Sequence, residues 1–144
     1  MRKFIQDRYF PFISFAFSSS HCFGYIEALV DTGSPFTVLS TVDALRLKLP
    51  IKTMHRGEPV YLAGFTFFKA SMGNSSMTFR TDDQKSVKIE FNKVGVLIPT
   101  KLDQKQLEAV RSIPSIIGND FLEQEKFALY VNPSAKVAYL ERTP

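Results

Sequence analysis

Cys22 is the sequence's single cysteine, so neither an internal disulfide nor a cysteine-built zinc cage can form. Two histidines, His21 and His55, are too few to supply a metal centre instead, and no metal or other cofactor is expected. Tryptophan is absent, and no apolar run approaches the length needed to cross a bilayer, so no membrane partner is expected. Charge of neither sign is concentrated: 18 Lys and Arg against 14 Asp and Glu leave +4, scattered along the chain. Binding of nucleic acid by a basic β-barrel would call for aromatics interleaved with Lys and Arg. Arg2-Lys3 and the segment from Lys48 to Arg56 supply charge without that interleaving, so no nucleic-acid partner is expected. Cysteine usage is compatible with a reducing compartment, and the expected location is cytoplasmic.

What remains is a chain of 144 residues, 44% hydrophobic and 22% charged, which suits one domain with its own core across 1–144. Arg2 and Lys3 followed by an apolar stretch from Tyr9 to Phe17 and by Ser18-Ser19-Ser20 have the outline of a signal peptide. Asp7, Arg8 and Pro11 interrupt that outline, and Ile13 to Ser18 alternates as a half-buried strand does, so the segment is read as structure.

Fourteen phenylalanines and many β-branched residues fall in short runs punctuated by Gly, Pro, Ser and Asn, which predicts a mainly β domain. Strands are expected over Ile13 to Phe17 and Phe23 to Val30, joined as a hairpin across Ser18 to Ser20. Others are expected over Pro35 to Leu39, Val60 to Phe68, Ser76 to Arg80 and Val87 to Ile98, with turns at Gly73-Asn74-Ser75 and Thr81 to Lys85. Ser40, with Asp43 three residues on, is expected to cap a helix over Thr41 to Leu47 that ends before Pro50. Asp103 is expected to cap a second carrying Leu107 and Val110 and stopped by Pro114, and either Asn119 or Asp120 a third through Gln124. Lys126 to Val131 and Lys136 to Leu140 read as a closing hairpin turned at Asn132-Pro133-Ser134. No internal repeat or linker interrupts the pattern.

The segment that carries chemistry is Ala28-Leu29-Val30-Asp31-Thr32-Gly33-Ser34, a hydrophobic strand running straight into a carboxylate, with a glycine to let the backbone turn. Asp-Thr-Gly alone would occur by chance in roughly 2 to 3% of chains of this length. A second element, Ile116-Ile117-Gly118-Asn119-Asp120-Phe121-Leu122, adds an apolar pair, a glycine and a helical start far downstream. Together the two segments, with Val38-Leu39, resemble the retropepsin family of aspartic peptidases, in the same order and spacing, over about Phe10 to Glu141. The inserted helix after the active-site strand is closer to its non-viral members.

The resemblance implies a retropepsin-like acid protease barrel, half of a pepsin-type bilobal fold, with two or three short helices. It implies an endopeptidase acting on peptides or proteins as a homodimer, because one Asp-Thr-Gly per chain supplies one catalytic aspartate. Asp31 would meet its symmetry mate around the attacking water, the two carboxylates sharing a proton. Thr32 would link the two loops, Gly33 would let them approach, and Ser34 would donate to the outer carboxylate oxygen. Ile117 and Gly118 would form the structural motif threading past that loop. Ala63-Gly64-Phe65 is the expected tip of a flap hairpin over substrate, with Gly73-Asn74 as the rival tip. Leu29 and Ile116 would line apolar pockets or serve as ordinary core.

Retroviral members carry an acidic residue two positions after the motif glycine and an arginine after the later glycine. Pro35 and Asn119 stand there instead, so both halves of that ion pair are missing together, whereas loss of one would leave an uncompensated charge. A catalytically silent domain that binds peptides or dimerises is the alternative reading.

Overall fold

The computed structural model describes residues 3–6 and 11–144; Arg2, Tyr9 and Phe10, part of the signal-like stretch, lie outside the described residues. The first long hairpin is built as the alternation predicts. β2 (Phe12–Ser19) pairs antiparallel with β3 (Phe23–Val30), from Phe12 opposite Leu29 to Ser18 opposite Phe23. Ile13, Phe15 and Phe17 of β2 and Ile26, Ala28 and Val30 of β3 are buried, so the period of two puts one face of each strand into the core.

Beyond β3 the chain forms β4 (Val38–Leu39), α1 (Thr41–Arg46), β5 (Pro59–Leu62), β6 (Phe65–Ser71) and β7 (Ser75–Arg80). There follow β8 (Ser86–Glu90), β9 (Gly95–Pro99), α2 (Gln104–Ala109), β10 (Ser115–Ile117) and α3 (Asn119–Glu125). Nine strands make one sheet in the order β5-β6-β9-β4-β10-β3-β2-β7-β8. A separate three-stranded sheet joins β1 (Lys3–Gln6) to the closing hairpin of β11 (Phe127–Asn132) and β12 (Val137–Arg142), with β12 in the middle.

Phenylalanine fills the main core. Phe17, Phe79, Phe91 and Phe121 are among its fully buried side chains. Phe121 of α3 sits 5.8 Å from Phe79, 5.4 Å from Phe91 and 5.9 Å from Phe127, ring centre to ring centre. Each such ring contributes about 1.5–3 kcal/mol of transfer free energy, so the cluster fixes α3 firmly on the sheet. A second, smaller cluster of Val38, Phe67, Leu97, Val110, Ile113 and Ile116 lies under β5 and β6.

The helix caps of α1 and α2 match expectation: Ser40 accepts from the Asp43 amide and Asp103 from the Gln106 amide. Four expectations need correction. The strand expected over Pro35 to Leu39 is only Val38–Leu39: the Thr37 amide and hydroxyl both donate to Asp120, and only its carbonyl joins the ladder, accepting from the Gly95 amide at 3.0 Å. The run from Val87 to Ile98 breaks into β8 and β9 between Glu90 and Gly95. Neither Asn119 nor Asp120 caps α3; Gly118 holds that position without a side-chain bond. Gly73-Asn74 joins strands with different neighbours, β6 with β5 and β9, and β7 with β2 and β8, so it is not a hairpin tip. Among the described residues no helix is long and apolar enough to cross a membrane.

Candidate active site

β10 creates the site by inserting between two strands. Ile116 and Ile117 run parallel to Leu29 and Val30 of β3, and Ile116 faces Val38 of β4 from the other side. The Asp31 amide continues the ladder by donating to the Ile117 carbonyl at 3.0 Å. The carboxylate is thereby delivered at the end of a buried strand, itself half-buried.

Within the loop, the Gly33 amide donates to Asp31 Oδ1 at 2.8 Å, and the Ser34 amide to the Asp31 carbonyl at 3.1 Å. Gly33 does not take a left-handed backbone; a Cβ there would press on Asp31 Oδ1 at 3.1 Å. Thr32 and Gly33 are exposed at the turn of the loop. The Ser34 hydroxyl does not reach the carboxylate as expected; it donates to the Phe36 carbonyl at 2.8 Å and accepts from the Phe36 amide, closing its own small turn.

Residues 118–120 clamp the far side of the loop. The Asn119 amide donates to the Ser34 carbonyl at 2.8 Å, and the Asn119 side chain to the Thr32 carbonyl at 2.7 Å. Buried Thr37 donates its hydroxyl to Asp120 Oδ1 at 2.7 Å, accepts from the Gly118 amide at 3.0 Å and donates its own amide to Asp120 Oδ2 at 3.2 Å. Gly118 leaves no room for a side chain: a Cβ would collide with the Phe36 carbonyl and come within 2.8 Å of the Ser34 carbonyl oxygen. Sequence reasoning missed Thr37 and Asp120 as a loop-holding pair. Thr37 sat inside an expected strand, and Asp120 read as a cap. Asn119 was visible as a cap candidate and as a departure from the retroviral pattern, but not as a partner of Thr32.

Beside the loop lies an open groove of about 330 Å³. Ser34, Pro35, Phe36 and Val38 form one wall, Pro59–Leu62 the other, and Leu97 and Ile116 complete it. Ile116, only 3% exposed, both lines the groove and belongs to the cluster beneath it. Leu29 is half-buried beside Ile116 but is not part of the groove wall.

The opposite wall is the first strand of a β5–β6 hairpin, in which Leu62 pairs with Phe65 across the two-residue turn Ala63-Gly64. Both turn residues have positive φ, 51° and 82°, the primed-turn geometry that matches the twist of paired strands. The hairpin thus turns where the sequence suggested. Its wall-forming residues Pro59, Val60, Tyr61 and Leu62 lie just before the expected tip residues, while Phe65 packs on the smaller cluster.

No protein-family model and no curated protein matches the sequence. Among solved structures, a retropepsin-like aspartic protease from Rickettsia conorii aligns over 96% of this chain and 89% of its own, with a TM-score of 0.53 at 14% identity. The fold is retropepsin-like. Two further structures align at lower TM-scores. EIAV protease, complexed with the inhibitor HBY-793, gives 0.47 at 19% identity, over 85% of this chain and 93% of its own. The retroviral protease-like domain of Ddi1 from Leishmania major gives 0.45 at 15%, over 83% and 79%. Among the described residues the architecture is mainly β with three short helices, in line with the two or three the sequence suggested. At such identities the likeness is one of fold; chemistry has to be argued from the loop and groove themselves.

Proposed function

We propose that this chain is an aspartic endopeptidase, active as a homodimer, in which two Asp31 carboxylates activate one water molecule. The observation that carries the reading is the Asp31 carboxylate, oriented by the Gly33 amide at the end of β3 and bordered by an apolar groove beneath a hairpin. An extended peptide would lie in that groove, its apolar side chains against Ile116, Leu97 and Leu62, with Leu29 nearby. The tip Ala63-Gly64-Phe65 would close over it as a flap.

One Asp-Thr-Gly per chain means that the second carboxylate comes from a second copy. Two carboxylates brought close do not both ionise readily, so the pair holds one proton. The ionised member takes a proton from water as its oxygen attacks the scissile carbonyl carbon, and the protonated member gives its proton to the carbonyl oxygen. Collapse of the tetrahedral intermediate then breaks the C–N bond as the leaving nitrogen is protonated. Thr32 at the exposed turn, with Gly33 and Ser34, would form the contact between the two loops, while Ile117 and Gly118 support each loop from behind. This chemistry uses only the chain's own groups and water.

Cleavage of a mixed peptide library by wild type and by Asp31→Asn side by side is the direct test. Wild type should cleave and the variant should lose at least about a thousandfold in turnover, because an amide cannot act as base. Equal cleavage by both would remove Asp31 from the chemistry. Absence of cleavage by either, with peptide still bound, would favour a silent peptide-binding domain.

A further inference from the structure

Lys69 borders the separate cavity beside Met54 and His55, yet its ammonium rests on Phe36, a wall residue of a groove that carries no charge of its own. It stands on β6 two residues after Phe67, so by strand alternation it leaves the sheet on the side of the smaller cluster under the groove. Its stem lies against Gly95 of β9: a Cβ on Gly95 would come within 2.7 Å of Lys69 Cγ and 3.3 Å of a Val38 methyl. The missing side chain of Gly95 is therefore the slot that lets the lysine lie flat beside Val38. Its Nζ ends 3.3 Å from the centre of the Phe36 ring, and both Phe36 and Val38 line the groove.

An aromatic face holds an ammonium in place but does not neutralise it, and it occupies none of the three N–H donors as a hydrogen-bond acceptor would. Lys69 has no ion pair among the described residues. The main chain of Lys69 is itself pinned, its amide donating to the Glu58 carbonyl at 3.1 Å and its carbonyl accepting from the Gly57 amide at 3.0 Å. A half-buried, positioned and uncompensated cation beside apolar walls is arranged to meet a carboxylate that arrives with the ligand.

We infer that Lys69, seated on Phe36, makes the groove selective for peptides that carry an aspartate or glutamate beside their apolar residues. The inference rests on the groove being the peptide site. It names the substrate class that this site takes, acidic-apolar rather than purely apolar segments. Lys69 acts through recognition of the peptide, and Gly95 positions it.

The test separates binding from cleavage. Otherwise apolar octapeptides carrying a single Glu, Gln or Lys, moved through each position in turn, are titrated against Asp31→Asn protein and against Asp31→Asn combined with Lys69→Glu or Gly95→Ala. At one or more positions the Glu peptide should bind about fivefold more tightly than its Gln partner. Lys69→Glu should reverse that preference toward a Lys peptide, and Gly95→Ala, which displaces the stem without changing charge, should weaken it. Equal binding of Glu and Gln peptides at every position, or a Glu preference that survives Lys69→Glu, overturns the inference. A charge preference that follows Lys69 supports it even if wild type cleaves none of these peptides, an outcome that would count against the endopeptidase reading alone.

Discussion

The side-chain amide of Asn119 donates to the main-chain carbonyl of Thr32 at 2.7 Å, joining two residues 87 apart in sequence. The first turn of α3 thus grips the exposed turn of the Asp31 loop through a neutral hydrogen bond. Asn119→Ala removes that grip and leaves the backbone bond to Ser34. Stability should fall by about 0.5–1.5 kcal/mol in urea unfolding, and peptide turnover should drop further than this because the loop loses its register. Unchanged turnover would mean that the backbone contacts alone hold the loop.

Gly118→Ala should be a folding defect. The added methyl would press on the Phe36 and Ser34 carbonyls, main-chain atoms that cannot swing aside as a side-chain tip could. A cost of about 3 kcal/mol or more is expected, read as a lower urea midpoint.

Gly64→Val should behave oppositely. A Cβ at Gly64 meets nothing within 4 Å, so only its φ of 82° penalises a substitution, about 1–2 kcal/mol for an L residue. If the turn is a closing flap, kcat/KM should nevertheless fall by more than about tenfold. Wild-type kinetics in a folded Gly64→Val protein would remove the hairpin tip from catalysis.

Dimerisation is testable by subunit exchange. Excess Asp31→Asn chain, equilibrated with wild type, should suppress activity by forming heterodimers with one carboxylate, and activity per chain should fall on dilution. Sedimentation showing monomers at concentrations where cleavage per chain is undiminished would exclude the shared site.

The strands of the first hairpin were legible because Ile13, Phe15 and Phe17 alternate cleanly, and Ser40 and Asp103 announced their helices by side-chain chemistry that is local in sequence. The turn at Ala63-Gly64 was legible through Gly64 alone. Ala63 also takes a positive φ, which alanine gives no reason to expect. What could not be read were arrangements made by distant partners. Thr37 looks like strand because threonine favours extended backbone, yet its amide and hydroxyl both donate to Asp120 across the fold. The Ser34 hydroxyl closes its own turn on the Phe36 carbonyl, and its sequence context does not distinguish that acceptor from the Asp31 carboxylate. Lys69 looked like one of many scattered cations until β9 brought Gly95 beneath it.

The insertion of β10 between β3 and β4 also sets when the site can exist. The Asp31 loop is synthesised early, but the strand that holds it and the Asn119 and Asp120 contacts that shape it come from beyond residue 114. Contacts of such long sequence separation form late, after the entropy of closing the intervening chain has been overcome. A nascent chain that has exposed Asp31 but not yet Asn119 therefore lacks the scaffold of its own acid. The strand order thus withholds the support of the Asp31 loop until β10 and α3 have been made.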